Sequence, residues 1–164
     1  MKRTAYLSLG SNLGAREANL REAIARLGEL GRVIRVSALY ETEPVEIIGQ
    51  QPWFLNCAAA LETELTPLEF LKRMLAIEQA MGRERTTPKG PRTIDMDIIF
   101  FGDEILDTKE LTVPHPAMQH RRFVLEPLAE IAPEAMHPML RRTVREMLDS
   151  LPAGSGSVRS SGQI

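Results

Sequence analysis

The apolar positions of this chain fall in short blocks, and turn-forming residues bound most of them. Residues 4–9 form an apolar strand closed by the turn-rich Gly10-Ser11-Asn12-Leu13-Gly14. Leu20, Ala23, Ile24 and Leu27 then recur at i, i+3, i+4, i+7, the spacing of one helix face, with Gly28 and Gly31 as stops. Residues 33–42 predict a second strand. Residues 43–52, with two prolines, a glycine and no clean period, read as a loop. Residues 53–63 predict a third strand whose small side chains suit close packing beneath a helix. Thr66-Pro67-Leu68-Glu69 then announces a helix, with an N-cap Thr, Pro at the first helical position and a capping-box Glu. Leu68, Leu71 and Leu75 are its expected buried stripe and Gly82 its stop. A fourth strand spans residues 94–101.

The order β-α-β-β-α-β is that of a ferredoxin-like, split βαβ core. It predicts an α+β class, with an antiparallel sheet and the helices on one face, followed by a C-terminal extension. In that extension Gly102-Asp103 makes a turn and residues 104–108 a short extra strand. Val113-Pro114-His115-Pro116 is extended, because Pro biases its predecessor away from helix. Residues 117–130 and 142–151 read as short helices. Residues 1–152 are expected to form one domain, and 153–164, opening Ala-Gly-Ser-Gly-Ser, a disordered tail.

Composition narrows the function classes. At 164 residues the chain is long enough to bury a core as a single domain, and 26% charged with 43% apolar residues is ordinary for a globular protein. The net charge of −2 gives no whole-molecule reason to bind nucleic acid or an anionic membrane. One cysteine, Cys57, excludes an internal disulfide and a cysteine-rich zinc site, and its apolar neighbours make it a buried, reduced thiol. The N-terminus has no signal-peptide pattern, and no run approaches the roughly 20 apolar residues of a membrane span. A cytoplasmic location is expected.

The chemistry concentrates in residues 90–101. Asp95 and Asp97 share one face of their strand, about 6.5–7 Å apart along it. Such a pair can simply solubilise a strand end. Here, however, residues 98–101 are apolar on both faces, as in a central strand, and adjacent like charges there need a cation or cationic partners. Aspartate oxygens beside phosphate oxygens and water favour Mg²⁺ over a transition metal. Arg83, Arg85, Lys89 and Arg92 lie just upstream on a predicted loop, where arginines can form bidentate bonds to a polyphosphate. His115 between its prolines, with His120-Arg121-Arg122, makes a second cationic strip suited to phosphate contact, whereas His137 reads as structural. Asn56 is an amide inside an apolar strand and needs hydrogen-bond partners; a flat heterocycle is one candidate, with Phe54 and Phe123 able to flank its ring. There is no G-x-x-x-x-G-K-[S/T], no dinucleotide fingerprint and no RNP-type aromatic pair.

Three separated segments, in order, resemble one family. Leu9-Gly10-Ser11-Asn12-Leu13-Gly14, Gly90-Pro91-Arg92-Thr93-Ile94-Asp95-Met96-Asp97-Ile98 and Leu111-Thr112-Val113-Pro114-His115-Pro116 are similar to the markers of 6-hydroxymethyl-7,8-dihydropterin pyrophosphokinases, and Phe54-Leu55-Asn56 to their pterin-site segment. The resemblance covers about residues 4–150. It implies transfer of pyrophosphate from ATP to the pterin hydroxymethyl group, with release of AMP, in folate biosynthesis. By matching position it implies two Mg²⁺ ions on Asp95 and Asp97. Arg83 and Arg92 are then catalytic alongside that pair, and Glu78, Arg83, Arg85, Arg92, Ile98, Thr112, His115 and Arg121 line the ATP site. Thr42, Pro44, Val45, Phe54, Asn56, Asp95 and Phe123 would hold the pterin. Lys89 and Glu110 depart from the family pattern, at an often aromatic and a basic position respectively. ATP and the pterin are the implied partners, with no nucleic acid, no membrane and a monomeric chain. A nucleotidyltransferase and a non-enzymatic ferredoxin-like binding domain are the rival readings. The first normally places its Gly-Ser turn about ten residues from the strand acids, unlike Gly10-Ser11 and Asp95; the second has no use for the acid pair.

Overall fold

The computed structural model describes residues 1–42, 53–82, 92–152 and 158–162. Its core runs β1 (Arg3–Ser11), α1 (Arg16–Leu27), β2 (Arg32–Val36), β3 (Leu39–Thr42), β4 (Phe54–Thr63), α2 (Pro67–Ala80) and β5 (Asp95–Phe101). The extension adds β6 (Leu106–Asp107), β7 (Thr112–Val113), a 3₁₀ turn at Met118–His120, α3 (Arg122–Ile131), α4 (Val144–Asp149) and β8 (Val158–Gly162). β1 lies between β4 and β5, antiparallel to both, and β2 and β3 pair with the other edge of β4. This is the expected ferredoxin-like α+β arrangement. Among the described residues, no helix is long and apolar enough to cross a membrane.

The predicted second strand is broken into β2 and β3. Val36 pairs with Ala59 and Tyr40 with Asn56, so residues 37–39 face only residues 57–58 and carry one residue too many. Polar groups hold the irregularity. Ser37 Oγ accepts from Ala58 N–H at 2.8 Å, while Ala38 N–H turns out of the ladder and donates to the Glu130 carboxylate on α3, 3.1 Å from each oxygen. Tyr40 O–H donates to the same carboxylate at 2.6 Å.

The two core helices pack on one face of the sheet, as expected, and the helices of the extension cover the other. Leu7, Leu9, Cys57, Leu61, Met96 and Ile98 pack beneath Leu20, Ala23 and Leu27 of α1 and Phe70, Met74 and Ile77 of α2. On the other face Ala58, Ala60, Ile99 and Phe100 meet Val124, Leu125 and Leu128 of α3 and Val144, Met147 and Leu148 of α4. A bulge explains the doubly apolar end of β5: Tyr6 pairs with Phe100 but Leu7 with Ile98, and the extra residue Ile99 turns to the α3 side together with Phe100. The Cys57 thiol is buried as expected, and burial pushes its pKa up to about 12. His137 is structural as expected: it is buried edge-on to Phe100, and its Nδ1 accepts from the N–H groups of Met139 and Leu140.

The predicted capping box of α2 forms, but its buried stripe is different. Phe70, Met74 and Ile77 are buried, whereas Leu68 and Leu75 are 41% and 45% exposed. Both stripes have helical spacing, and docking selects the one with the aromatic ring. Gly82, with φ +83°, follows the helix in the left-handed region. Gly31 serves close packing as well as the turn, since a Cβ there would fall closer than 3.0 Å to the Glu62 carbonyl oxygen. In the extension, the strand expected over 104–108 shortens to β6, and the 142–151 helix to α4 with its own Thr143–Glu146 capping box. The tail also differs from expectation. Residues 158–162 pair with β3 as β8, while 153–157 and 163–164 lie outside the described residues.

Candidate active site

Strand register assembles the site. Residues directly opposite one another in a sheet project to the same face. Asp95 pairs with Gly10, Gly10 with Asn56 and Asn56 with Tyr40, so these four make one row across β5, β1, β4 and β3. Asp97, Ser8 and Ala58 make the next row, and Thr42 and Phe54 the rung at the end of the β3–β4 ladder. All lie on the sheet face that α3 and α4 cover further along. Gly10, without a side chain, makes room on this surface for the Asn56 amide and the Phe54 ring. A Cβ there would lie closer than 3.0 Å to Asn56 Oδ1 and 3.2 Å from Phe54 Cδ1. Asn56 is itself buried, and its Nδ2 donates to Thr42 Oγ1, which fixes the amide's orientation.

The acid pair borders a pocket of about 400 Å³. Leu71 and Leu75 of α2, with Ile98 and Leu111, give it an apolar wall; Arg92, Thr112, His115 and Arg121 give it donors. Arg92 Nη1 donates to Asp95 Oδ2 at 2.8 Å. The Arg92 backbone is gripped in turn by buried Asn12, whose Oδ1 accepts from Arg92 N–H at 2.8 Å and whose own N–H donates to the Arg92 carbonyl at 3.1 Å. Arg92 Nε is buried and has no hydrogen-bond partner among the described residues, a spare donor on the guanidinium that pairs with Asp95. Glu78, 2% exposed, accepts from Met96 N–H at 2.6 Å and so pins β5 between its two acids.

His115 is held from two directions. Its backbone N–H donates to the Ile99 carbonyl at 3.0 Å, and its Nδ1 accepts from Ala117 N–H at 3.2 Å. Burial first, and then the Arg121 charge, lower its pKa to about 4 against a smaller opposing pull from Asp95. The imidazole is therefore neutral at pH 7. With Nδ1 accepting, the proton sits on Nε2, which becomes a donor. The Arg121 guanidinium stands over the Phe123 ring, 5.5 Å from its centroid.

The structure thus brings Glu78, Arg92, Asp95, Asp97, Ile98, Thr112, His115 and Arg121 around one pocket, and Thr42, Phe54, Asn56 and Asp95 onto one sheet face. Phe123 lies on α3 beside Arg121 and packs against the core on that face. Pro44, Val45, Arg83, Arg85 and Lys89 lie outside the described residues. Several positions have no function legible in the sequence: Gly10 as the space for the Asn56 amide, Asn12 as the grip on Arg92, and Leu71, Leu75 and Leu111 as pocket wall. The exposed leucines of α2 held a usable signal, since a second apolar stripe beside a buried one needs something to face.

Residues 6–133 match the family described as 7,8-dihydro-6-hydroxymethylpterin-pyrophosphokinase. The chain belongs to this family. It is 47% identical over 133 residues to the 2-amino-4-hydroxy-6-hydroxymethyldihydropteridine pyrophosphokinase of Bacillus subtilis, covering 80% of this chain and 79% of that one. The corresponding protein of Synechocystis is 42% identical over 149 residues, covering 90% of this chain and 75% of that one. The folic acid synthesis protein fol1 of Schizosaccharomyces pombe is 42% identical over 151 residues; that match covers 91% of this chain and only 20% of the yeast protein. The Plasmodium falciparum HPPK-DHPS solved with pterin and p-hydroxybenzoate superposes with a TM-score of 0.72 over 91% of this chain and 42% of that one. At 21% identity that likeness speaks for the fold alone.

Proposed function

We propose that this chain transfers the pyrophosphoryl group of ATP to the hydroxymethyl oxygen of 6-hydroxymethyl-7,8-dihydropterin, giving the pterin diphosphate and AMP in folate biosynthesis. One observation carries the reading: Asp95 and Asp97 stand at the junction between the pocket and the sheet face that carries Asn56 and Phe54. Two substrates bound on either side of that junction would meet at the acid pair. Asn56 and Asp95 are two strand spacings apart, roughly 10 Å, a span that suits a two-ring heterocycle with a short side chain.

Enzymes of this family use ATP and Mg²⁺, and the donor set fits that metal. Mg²⁺ takes one or two carboxylates and completes its shell with phosphate oxygens and water. Among the described residues no cluster of three or more His, Cys, Asp or Glu offers an all-protein cage. Asp95 and Asp97 would hold the ions, two in number, against the phosphates. Mg²⁺ so bound supplies charge withdrawal from the phosphorus and a lowered pKa for the attacking hydroxyl.

The remaining work is positioning and charge neutralisation. The new bond joins the hydroxymethyl oxygen to the β-phosphorus, the bond to the α,β-bridging oxygen breaks, and AMP leaves with that electron pair while the hydroxyl proton is released. Arg92, pre-set by Asn12 and Asp95, offers its donors to the moving phosphoryl oxygens. His115 donates from Nε2 without adding charge, and Arg121, steadied over Phe123, supplies a cation. Ile98, Leu71, Leu75 and Leu111 face the adenine, with Thr112 and Glu78 at its border. Asn56 reads the pterin edge while Thr42 orients the amide, and Phe54 and Phe123 flank the ring. Arg83 and Arg85 for the phosphates, and Pro44 and Val45 for the pterin, complete the proposal from sequence. A monomer in the cytoplasm completes it at the level of the cell.

The test is incubation with ATP, Mg²⁺ and hydroxymethyldihydropterin. AMP and a pterin diphosphate are expected. Pyrophosphate release would mark a nucleotidyltransferase, and magnesium-independent nucleotide binding without product a binding domain.

A further inference from the structure

Arg16 opens α1 although local rules speak against it there. A cation in the first turn meets the positive end of the helix dipole, and Ala15 at the cap makes no side-chain hydrogen bond. Local rules are broken where the tertiary structure supplies a reason. That reason lies across the loop, at the end of a β-ladder. Arg16 Nη1 donates to the Trp53 carbonyl and Nη2 to the Glu41 carboxylate, each at 2.9 Å.

These two acceptors lie on opposite strands. Thr42 and Phe54 are the last pair of β3 and β4; Glu41 precedes Thr42 and Trp53 precedes Phe54. One planar fork therefore ties both strands together where their ladder ends. Glu41, adjacent in sequence to Tyr40 and Thr42, projects to the opposite face from them, so the tie is made from the α1 side. The other side of the same two rungs carries Thr42, Phe54 and Asn56. The Thr42–Asn56 hydrogen bond and the Phe54 ring depend on those rungs staying closed.

We propose that Arg16 is a positioning residue for the heterocycle subsite, holding the β3–β4 ladder end so that Asn56 and Phe54 meet the pterin in register. The proposal rests on the reaction read above and adds to it a residue that touches neither substrate. Lysine is a point charge without the fork, so it can keep the attraction to Glu41 but not both bonds in this geometry.

The experiment compares the unaltered full-length chain with Arg16→Ala and Arg16→Lys in steady-state kinetics with ATP, Mg²⁺ and hydroxymethyldihydropterin. Emission from Trp53, the single tryptophan of the chain, is recorded on the same samples without substrate. Arg16→Ala is expected to raise the pterin KM about tenfold, keep the ATP KM within about twofold and shift the Trp53 emission; Arg16→Lys falls between. If Arg16→Ala does not fold, Arg16→Lys carries the test with a rise of about threefold. Lower thermal stability with an unchanged ratio of the two KM values makes Arg16 merely structural and overturns the proposal. Normal turnover by the unaltered chain with a normal pterin KM in the variants overturns it alone. No AMP from the unaltered chain overturns the reaction reading and the positioning role together.

Discussion

Gly10→Ala is the sharpest single perturbation of the sheet face. The added methyl would sit closer than 3.0 Å to Asn56 Oδ1 and 3.2 Å from Phe54 Cδ1. Asn56 has little room to yield: it is 4% exposed, and its amide is bonded to Thr42, which is 2% exposed. Relieving the overlap means rotating the amide off Thr42 or spreading the strands. Losing a buried hydrogen bond costs about 1–3 kcal/mol when its partners are left unsatisfied, and overpacking about 1–3 kcal/mol. The two overlap as consequences of one displacement, so a total of about 2–4 kcal/mol is expected. For a chain of this size that lowers Tm by about 5–15 °C. The same rotation misaligns the pterin-reading amide, and kcat/KM for the pterin should fall about 10–100-fold. Gly10 is absent from the pocket lining, so ATP affinity should change by less than about twofold. Thermal denaturation, pterin-dependent AMP release and calorimetric ATP binding read the three quantities. A variant that melts normally and keeps its pterin kcat/KM would refute the reading that Gly10 makes room for the Asn56 amide.

Asp97→Ala should abolish turnover and weaken MgATP binding severely while leaving circular dichroism unchanged; near-normal activity would defeat the metal assignment. Asn12→Ala removes the acceptor of Arg92 N–H and should cost about 1–3 kcal/mol in urea unfolding, together with a lower kcat. Unfolding and rates both matching the parent would mean that the grip on Arg92 is incidental. His115, with a folded pKa near 4, should show no imidazole titration between pH 6 and 8 by NMR. The unfolded chain takes up this proton near pH 6.5, so the His115 contribution to stability is present above that pH and is lost as pH falls towards 4. A His115 imidazole resonance titrating near 6.5 would contradict the burial argument.

Patterns written into contiguous residues determined much of this protein. The α2 capping box, the helical period of α1, the apolar block of β5 and the same-face placement of Asp95 and Asp97 all depend on chemistry within a few residues, where backbone geometry dictates the outcome. The motif order also carries the family, and the order of elements the ferredoxin-like core. What the tertiary structure decided are matters of which surface meets which. Leu68 and Leu75 share a helical period with Phe70, Met74 and Ile77, and only docking on the sheet buries one set rather than the other. The break at Ser37-Ala38 exists because Glu130, 92 residues along the chain from Ala38, captures its N–H. The bulge at Ile99 turns two successive apolar residues of β5 to the side that α3 and α4 cover. Asp95, the feature most legible as chemistry, acquires its setting only through pairing: Gly10 makes room beside it for the Asn56 amide, and Asn12 presents Arg92 to it. Those neighbours lie 39 to 85 residues from it in the chain, and no local period can encode a contact between strands that the fold alone makes adjacent.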